Sequence, residues 1–144
     1  MQFVPIMTAI ETMLSEADGT KDLIKAYRQF TEPEQGTWVT PLCVLCPDLD
    51  IEPGLAGYTP TIMRSKKISL TVHFLERSYD VQNIHKAAVT TMDTLQHNAC
   101  AVFEADPTLG GTVITSKVAR IQLQRYNAEY FQFVITLTVD TKLE

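Results

Sequence analysis

The sequence predicts an α+β fold, a mainly antiparallel sheet of about four strands with a long helix and N-terminal helices packed on one face. Strict alternation between residues 68 and 76 is the first sign. Ile68, Leu70, Val72 and Phe74 fall on one side and Ser69, Thr71 and His73 on the other, the pattern of a half-buried strand. A single narrow stripe is the second. Val81, Ile84, Ala88, Met92, Leu95, Ala99 and Val102 are spaced by three and four residues, which places them along one side of a helix. A second alternating run near the end is the third, with Phe131, Phe133, Ile135, Leu137 and Val139 opposed to Gln132, Thr136 and Thr138. The whole chain, residues 1–144, reads as one domain.

Taken in order, Pro5 to Ala17 has helical spacing at Ile6, Ala9, Ile10, Met13 and Leu14, with Pro5 in a first-turn position. Asp18-Gly19-Thr20 breaks the run. A second short helix is expected over Lys21–Phe30, with Leu23, Ile24 and Tyr27 on one side and Thr20 as its N-cap. Trp38 to Cys46 reads as a strand, and Pro41, which has no N–H to give a ladder, assigns it to a sheet edge or a bulge. Residues 47–65 show no period and contain Pro47, Pro53, Pro60, Gly54 and Gly57. They are expected to form a long loop of about nineteen residues, a length associated with function.

After the strand at Ile68–Glu76, Asp80 offers an N-cap to a helix ending near Phe103. Asp106-Pro107-Thr108-Leu109-Gly110-Gly111 turns the chain. A strand over Thr112–Tyr126, a turn near Asn127-Ala128 and a strand over Glu129–Asp140 complete the series. In that hairpin Ala119, Ile121 and Leu123 are expected opposite the apolar side of the last strand.

Composition excludes several classes of function. Hydrophobic residues make up 45% and charged residues only 20%, with a formal net charge of −5. Phosphate neutralisation needs a basic stripe, and no Lys/Arg run exceeds Lys66-Lys67. No stretch approaches the roughly 18 apolar residues of a membrane span. Met1-Gln2-Phe3-Val4-Pro5 has neither a basic nor an apolar leader segment, and three cysteines are an odd number. Together these predict a chain kept in a reducing cytoplasm, without a signal peptide or a disulfide framework.

Candidate chemistry is sparse. Cys43-Val44-Leu45-Cys46, with His97 and Cys100 on the long helix, supplies the residue types of a Cys₃His zinc set. In a strand, however, positions 43 and 46 point to opposite faces. A redox C-x-x-C normally opens a helix, whereas Pro47-Asp48 follows here. His73, His85 and His97 join no triad, and Ser65, Ser69, Ser78 and Ser116 sit in no nucleophile elbow. Asp48, Asp50 and Glu52 lack the glycine turn and distal Glu of a calcium loop and read as a solvated acidic stretch. Gly110-Gly111 precede a strand rather than a helix, the reverse of a phosphate loop. No catalytic residue, cofactor or metal is assigned, and the chain is not expected to be an enzyme.

The 47–65 stretch carries Ile51, Leu55, Tyr58, Ile62, Met63 and Arg64. These either pack on their own domain or cover a neighbouring subunit, and with Trp38 they are the candidate interface residues.

The series resembles the tail terminator and neck proteins of long-tailed bacteriophages. The likeness lies in the Pro5–Leu14 helix, the Thr37–Cys46 and Ser69–Glu76 strands, the Asp-Pro-Thr-Leu-Gly-Gly turn after the long helix, and the terminal Phe-Val-Ile-Thr-Leu-Thr-Val strand. The resemblance implies a homohexameric ring in the virion, assembled in the host cytoplasm. Such a ring caps the tail tube, ends its polymerisation and joins the tube protein to the head connector, while DNA passes the pore without specific binding. The alternatives are another head–tail joining or minor virion protein of similar fold, or a small zinc-binding or redox protein using Cys43, Cys46 and Cys100.

Overall fold

The computed structural model describes residues 3–29, 40–54, 65–77, 84–125 and 130–142. Helix α1 spans Phe3–Glu16 and buries Ile6, Met7, Ile10 and Leu14. No second helix follows within the described residues 17–29. Residues 18–23 form turns, and Ala26–Gln29 is a short strand, β1. The expected Lys21–Phe30 helix is therefore corrected, and Thr20 shows why. Its fully buried hydroxyl donates back to the Leu14 carbonyl at the end of α1. Used this way, it caps no new helix, and about ten residues without a cap are too few to hold helical form alone. The Lys25 N–H donates to the Pro41 carbonyl (2.9 Å), which leads the chain into parallel pairing of β1 with the next strand.

That strand, β2, spans Leu42–Gly54. It takes in the first eight positions of the expected 47–65 loop, so the loop prediction is corrected there; residues 55–64 lie outside the described residues. Prolines had suggested irregular structure. β2 accommodates Pro47 at a register irregularity, where the three residues between Pro47 and Ile51 stand against the single residue between Leu70 and Ile68 on the partner strand. Of the two alternatives expected for Trp38–Cys46, a sheet edge or a bulge, the edge is corrected for Leu42–Leu45, and the irregularity in β2 falls just beyond Cys46; Trp38 and Val39 lie outside the described residues. Leu42–Leu45 is paired on both sides, while beyond it no described strand borders the outer margin of Pro47–Gly54.

β3 spans Ser65–Arg77, α2 Ile84–Ala105, β4 Thr115–Arg125 and β5 Tyr130–Lys142. Among the described residues the result is an α+β fold with two helices and a mixed sheet of five strands, ordered β1-β2-β3-β5-β4. Only β1–β2 is parallel. The expected count of about four strands missed β1, which had been read as helix.

One apolar cluster joins Ile6, Ile10 and Leu14 of α1 and Met92, Leu95 and Ala99 of α2 to one face of the sheet. Ile68, Leu70, Val72 and Phe74 supply that face from β3, and Phe133, Ile135, Leu137 and Val139 from β5. At its centre Phe74 and Phe133 stack with ring centroids 4.6 Å apart. On the opposite face Leu42, Val44, Leu75 and Tyr130 form a second, smaller cluster.

The turn after α2 is tightly specified. Asp106 accepts hydrogen bonds from the Thr108 hydroxyl (2.6 Å), the Thr108 N–H (3.2 Å) and the Gly110 N–H (3.0 Å). Leu109, Gly110 and Gly111 all have positive φ (49°, 70° and 83°), with the Leu109 side chain fully buried. Glycine meets that backbone requirement without the penalty other residues incur.

Candidate assembly surface

β4 forms one margin of the sheet, hydrogen-bonded to β5 alone among the described strands. Its register places Ile121 opposite Ile135 and Leu123 opposite Phe133, on the face that carries the helices. The irregularity between Val118 and Arg120 leaves Ala119 as the extra residue, so Val118, opposite Leu137, continues the apolar face instead. The neighbours of Ile121 and Leu123 on β5 are buried, yet Ile121 is 45% exposed and Leu123 56% exposed. Ile114, just before the strand, is 42% exposed.

The exposure has a geometric cause. α2 packs across β3, β5 and β4 alike, yet Ile121 and Leu123 on β4 stay part exposed beneath it. A groove of about 260 Å³ remains between Val89, Met92 and Gln96 on the helix and Ile121, Leu123 and Phe133 on the sheet. Apolar side chains along an unpaired edge are what a soluble sheet normally avoids, because they template pairing with another chain. Sequence alternation predicted the face of Ile121 and Leu123 correctly, but not that the helix would leave them half in water.

The edge is also basic. β4 contains Lys117, Arg120 and Arg125 and no acid. Lys117 and Arg120 are exposed, and neither has an ion-pair partner among the described residues.

Of the interface residues expected from sequence, only Ile51 is on a described strand, where it stands opposite Ile68. Trp38, Leu55, Tyr58, Ile62, Met63 and Arg64 lie outside the described residues.

The three cysteines are not brought together as a ligand set. Cys43 is buried in the larger cluster, whereas Cys46 packs against the smaller one on the other face of the sheet. Cys100 is buried on α2. Burial pushes the Cys43 and Cys100 thiols up, away from the thiolate that zinc binding or nucleophilic attack requires. Among the described residues no group of three His, Cys, Asp or Glu side chains is placed to hold a metal ion.

His73 lies on the face of the smaller cluster, with Nε2 3.0 Å from the Thr71 hydroxyl and Nδ1 3.4 Å from Gln132 Oε1. The Thr71 hydroxyl in turn donates to the Cys46 carbonyl (3.2 Å). Burial lowers the His73 pKa, against an opposing pull from Gln132. His73 thus belongs to a hydrogen-bonded chain across β2, β3 and β5, in which the Thr71 hydroxyl proton is engaged by the Cys46 carbonyl.

Among the described residues no helix is long and apolar enough to cross a membrane. No protein-family model matches the chain, and no curated protein is significantly similar to it.

Proposed function

We propose that this chain is a ring-forming structural subunit of a long-tailed bacteriophage virion, acting where the tail tube ends and meets the head connector. The observation that carries the proposal is the half-exposed apolar strip of Ile121 and Leu123 on the unpaired margin of β4. A sheet that ends in such a strip is completed by a neighbour. A ring subunit needs a donor surface and a separate acceptor surface, and an open sheet has two margins to provide them.

The order of the described elements agrees with the tail terminator reading, apart from β1 in place of a second helix. The net charge of −5 suits a subunit around a pore through which DNA slides. In this reading the chain performs no chemistry. It stops tube growth by occupying the tube's end and offers its other side to the connector. Another head–tail joining role on the same fold is the alternative, separated by position in the virion. The division of the cysteines between the two sheet faces and α2, with Cys43 and Cys100 buried, weighs against a zinc or redox protein.

The test is the solution mass of the purified protein by light scattering, with negative-stain imaging alone and with tail tubes. A hexameric ring is expected, formed either in free solution or on the tubes. A monomer or dimer under every condition, with tubes left uncapped, sinks the proposal.

A further inference from the structure

We infer that the ring contact is strand pairing between the β4 edge of one copy and the outer edge of Pro47–Gly54 in the next, an inference that rests on the ring reading above. Both margins are open among the described residues. Pro47–Gly54 reads Pro-Asp-Leu-Asp-Ile-Glu-Pro-Gly, with three acids and no base. Thr115–Arg125 contains three bases and no acid. The two margins of one sheet are therefore oppositely charged.

This division of charge selects the kind of contact. Pairing β4 with β4, or β2 with β2, across a two-fold axis gathers six charges of one sign at the seam and none of the other. Pairing β4 with β2 sets bases against acids. The favoured contact is therefore head-to-tail, the kind that closes into a ring.

Strand direction agrees. β2 is antiparallel to β3, β3 to β5, and β5 to β4, so β4 runs antiparallel to β2 within one copy. A neighbour displaced sideways with its strands in the same sense presents β4 antiparallel to β2, the more stable of the two ladders. Length agrees as well. Eight residues extend about 27 Å at the usual strand rise, within the span of the eleven-residue β4. β1 covers only Leu42–Leu45 and leaves the acidic half of β2 clear of it.

Charge exchange tests this in the full chain. One variant carries Lys117→Glu and Arg120→Glu, the other Asp48→Lys and Glu52→Lys. Circular dichroism and urea unfolding verify that each is folded. Each variant alone is expected to need about tenfold more protein to assemble than the parent, since it sets like charges along every seam. Mixed in equal amounts, the two restore parent-sized rings, because alternating copies again set acid against base at every contact. Mixtures that yield only dimers overturn the inference in favour of a two-fold β4 contact. If the parent forms rings and both variants form them equally well alone, strand pairing at these edges is overturned while the ring reading stands. A parent that never assembles overturns both.

Discussion

Replacing Ile121 and Leu123 together by Thr tests the apolar strip on β4. Threonine keeps a strand-compatible, β-branched backbone preference while removing most of the apolar surface. Fully burying an Ile or Leu side chain gains about 1.5–3 kcal/mol. Ile121 is 45% exposed and Leu123 56% exposed, so roughly half of each gain is realised within one chain and half is left for a partner. The partner's share is about 1 kcal/mol per residue, or about 2 kcal/mol for the pair, close to a thirtyfold weakening of assembly. The share already realised against Met92 and Phe133 is similar, so the isolated chain loses about 2 kcal/mol of folding stability as well. Sedimentation equilibrium over a concentration series measures the first loss, and urea unfolding of dilute protein the second. A double variant that loses the predicted folding stability but assembles like the parent refutes the assembly role of the strip.

Two further outcomes follow from particular contacts. Thr20→Val removes the hydroxyl that satisfies the Leu14 carbonyl and is expected to cost about 1–3 kcal/mol in urea unfolding, with Thr20→Ser recovering most of it; equal losses in the two variants would contradict the hydrogen-bond account. Burial lowers the His73 pKa below its ordinary 6.5, so the unfolded chain binds more protons as pH falls through 6.5; the stability from keeping the ring neutral is complete above that pH and is lost below it. Glu76, raised by burial, contributes the opposite slope, so the readout is the difference in urea midpoint between parent and His73→Asn at pH 7.5 and 5.5. That difference is expected to shrink at the lower pH, and an unchanged difference would remove His73 from the pH dependence.

Period-two and period-three-to-four patterns made β3, α2 and β5 legible, because each of these elements buries one continuous stripe. Ile68 to Phe74 and Met92 to Ala99 appear in the core as their spacing requires. Residues 21–30 were misread because Leu23, Ile24 and Tyr27 fit a helix side as well as a short strand. Thr20, which decides between them, does so through a hydrogen bond to Leu14 that spacing does not reveal. Residues 47–54 were misread as loop because proline normally argues against a strand. The pairing with β3 that accommodates Pro47 is a long-range fact, visible only in the register. The candidate surface was half legible. The face of Ile121 and Leu123 followed from alternation, but their exposure depends on the groove left between α2 and the sheet, which spacing does not reveal. The opposed charges of Pro47–Gly54 and Thr115–Arg125 were present in the sequence throughout. They acquired meaning once those segments became the two margins of one sheet.

β3 links the two apolar clusters through adjacent residues. Phe74 belongs to the larger cluster and Leu75 to the smaller one, on opposite faces of the same central strand. Fixing the backbone at one position fixes it at the other, so neither layer can melt while its counterpart keeps its order. The chain should therefore lose both layers in a single cooperative transition, with no half-folded species in which the larger cluster survives alone. In the proposed assembly, this coupling would keep the open edges attached to a fully formed sheet before copies meet.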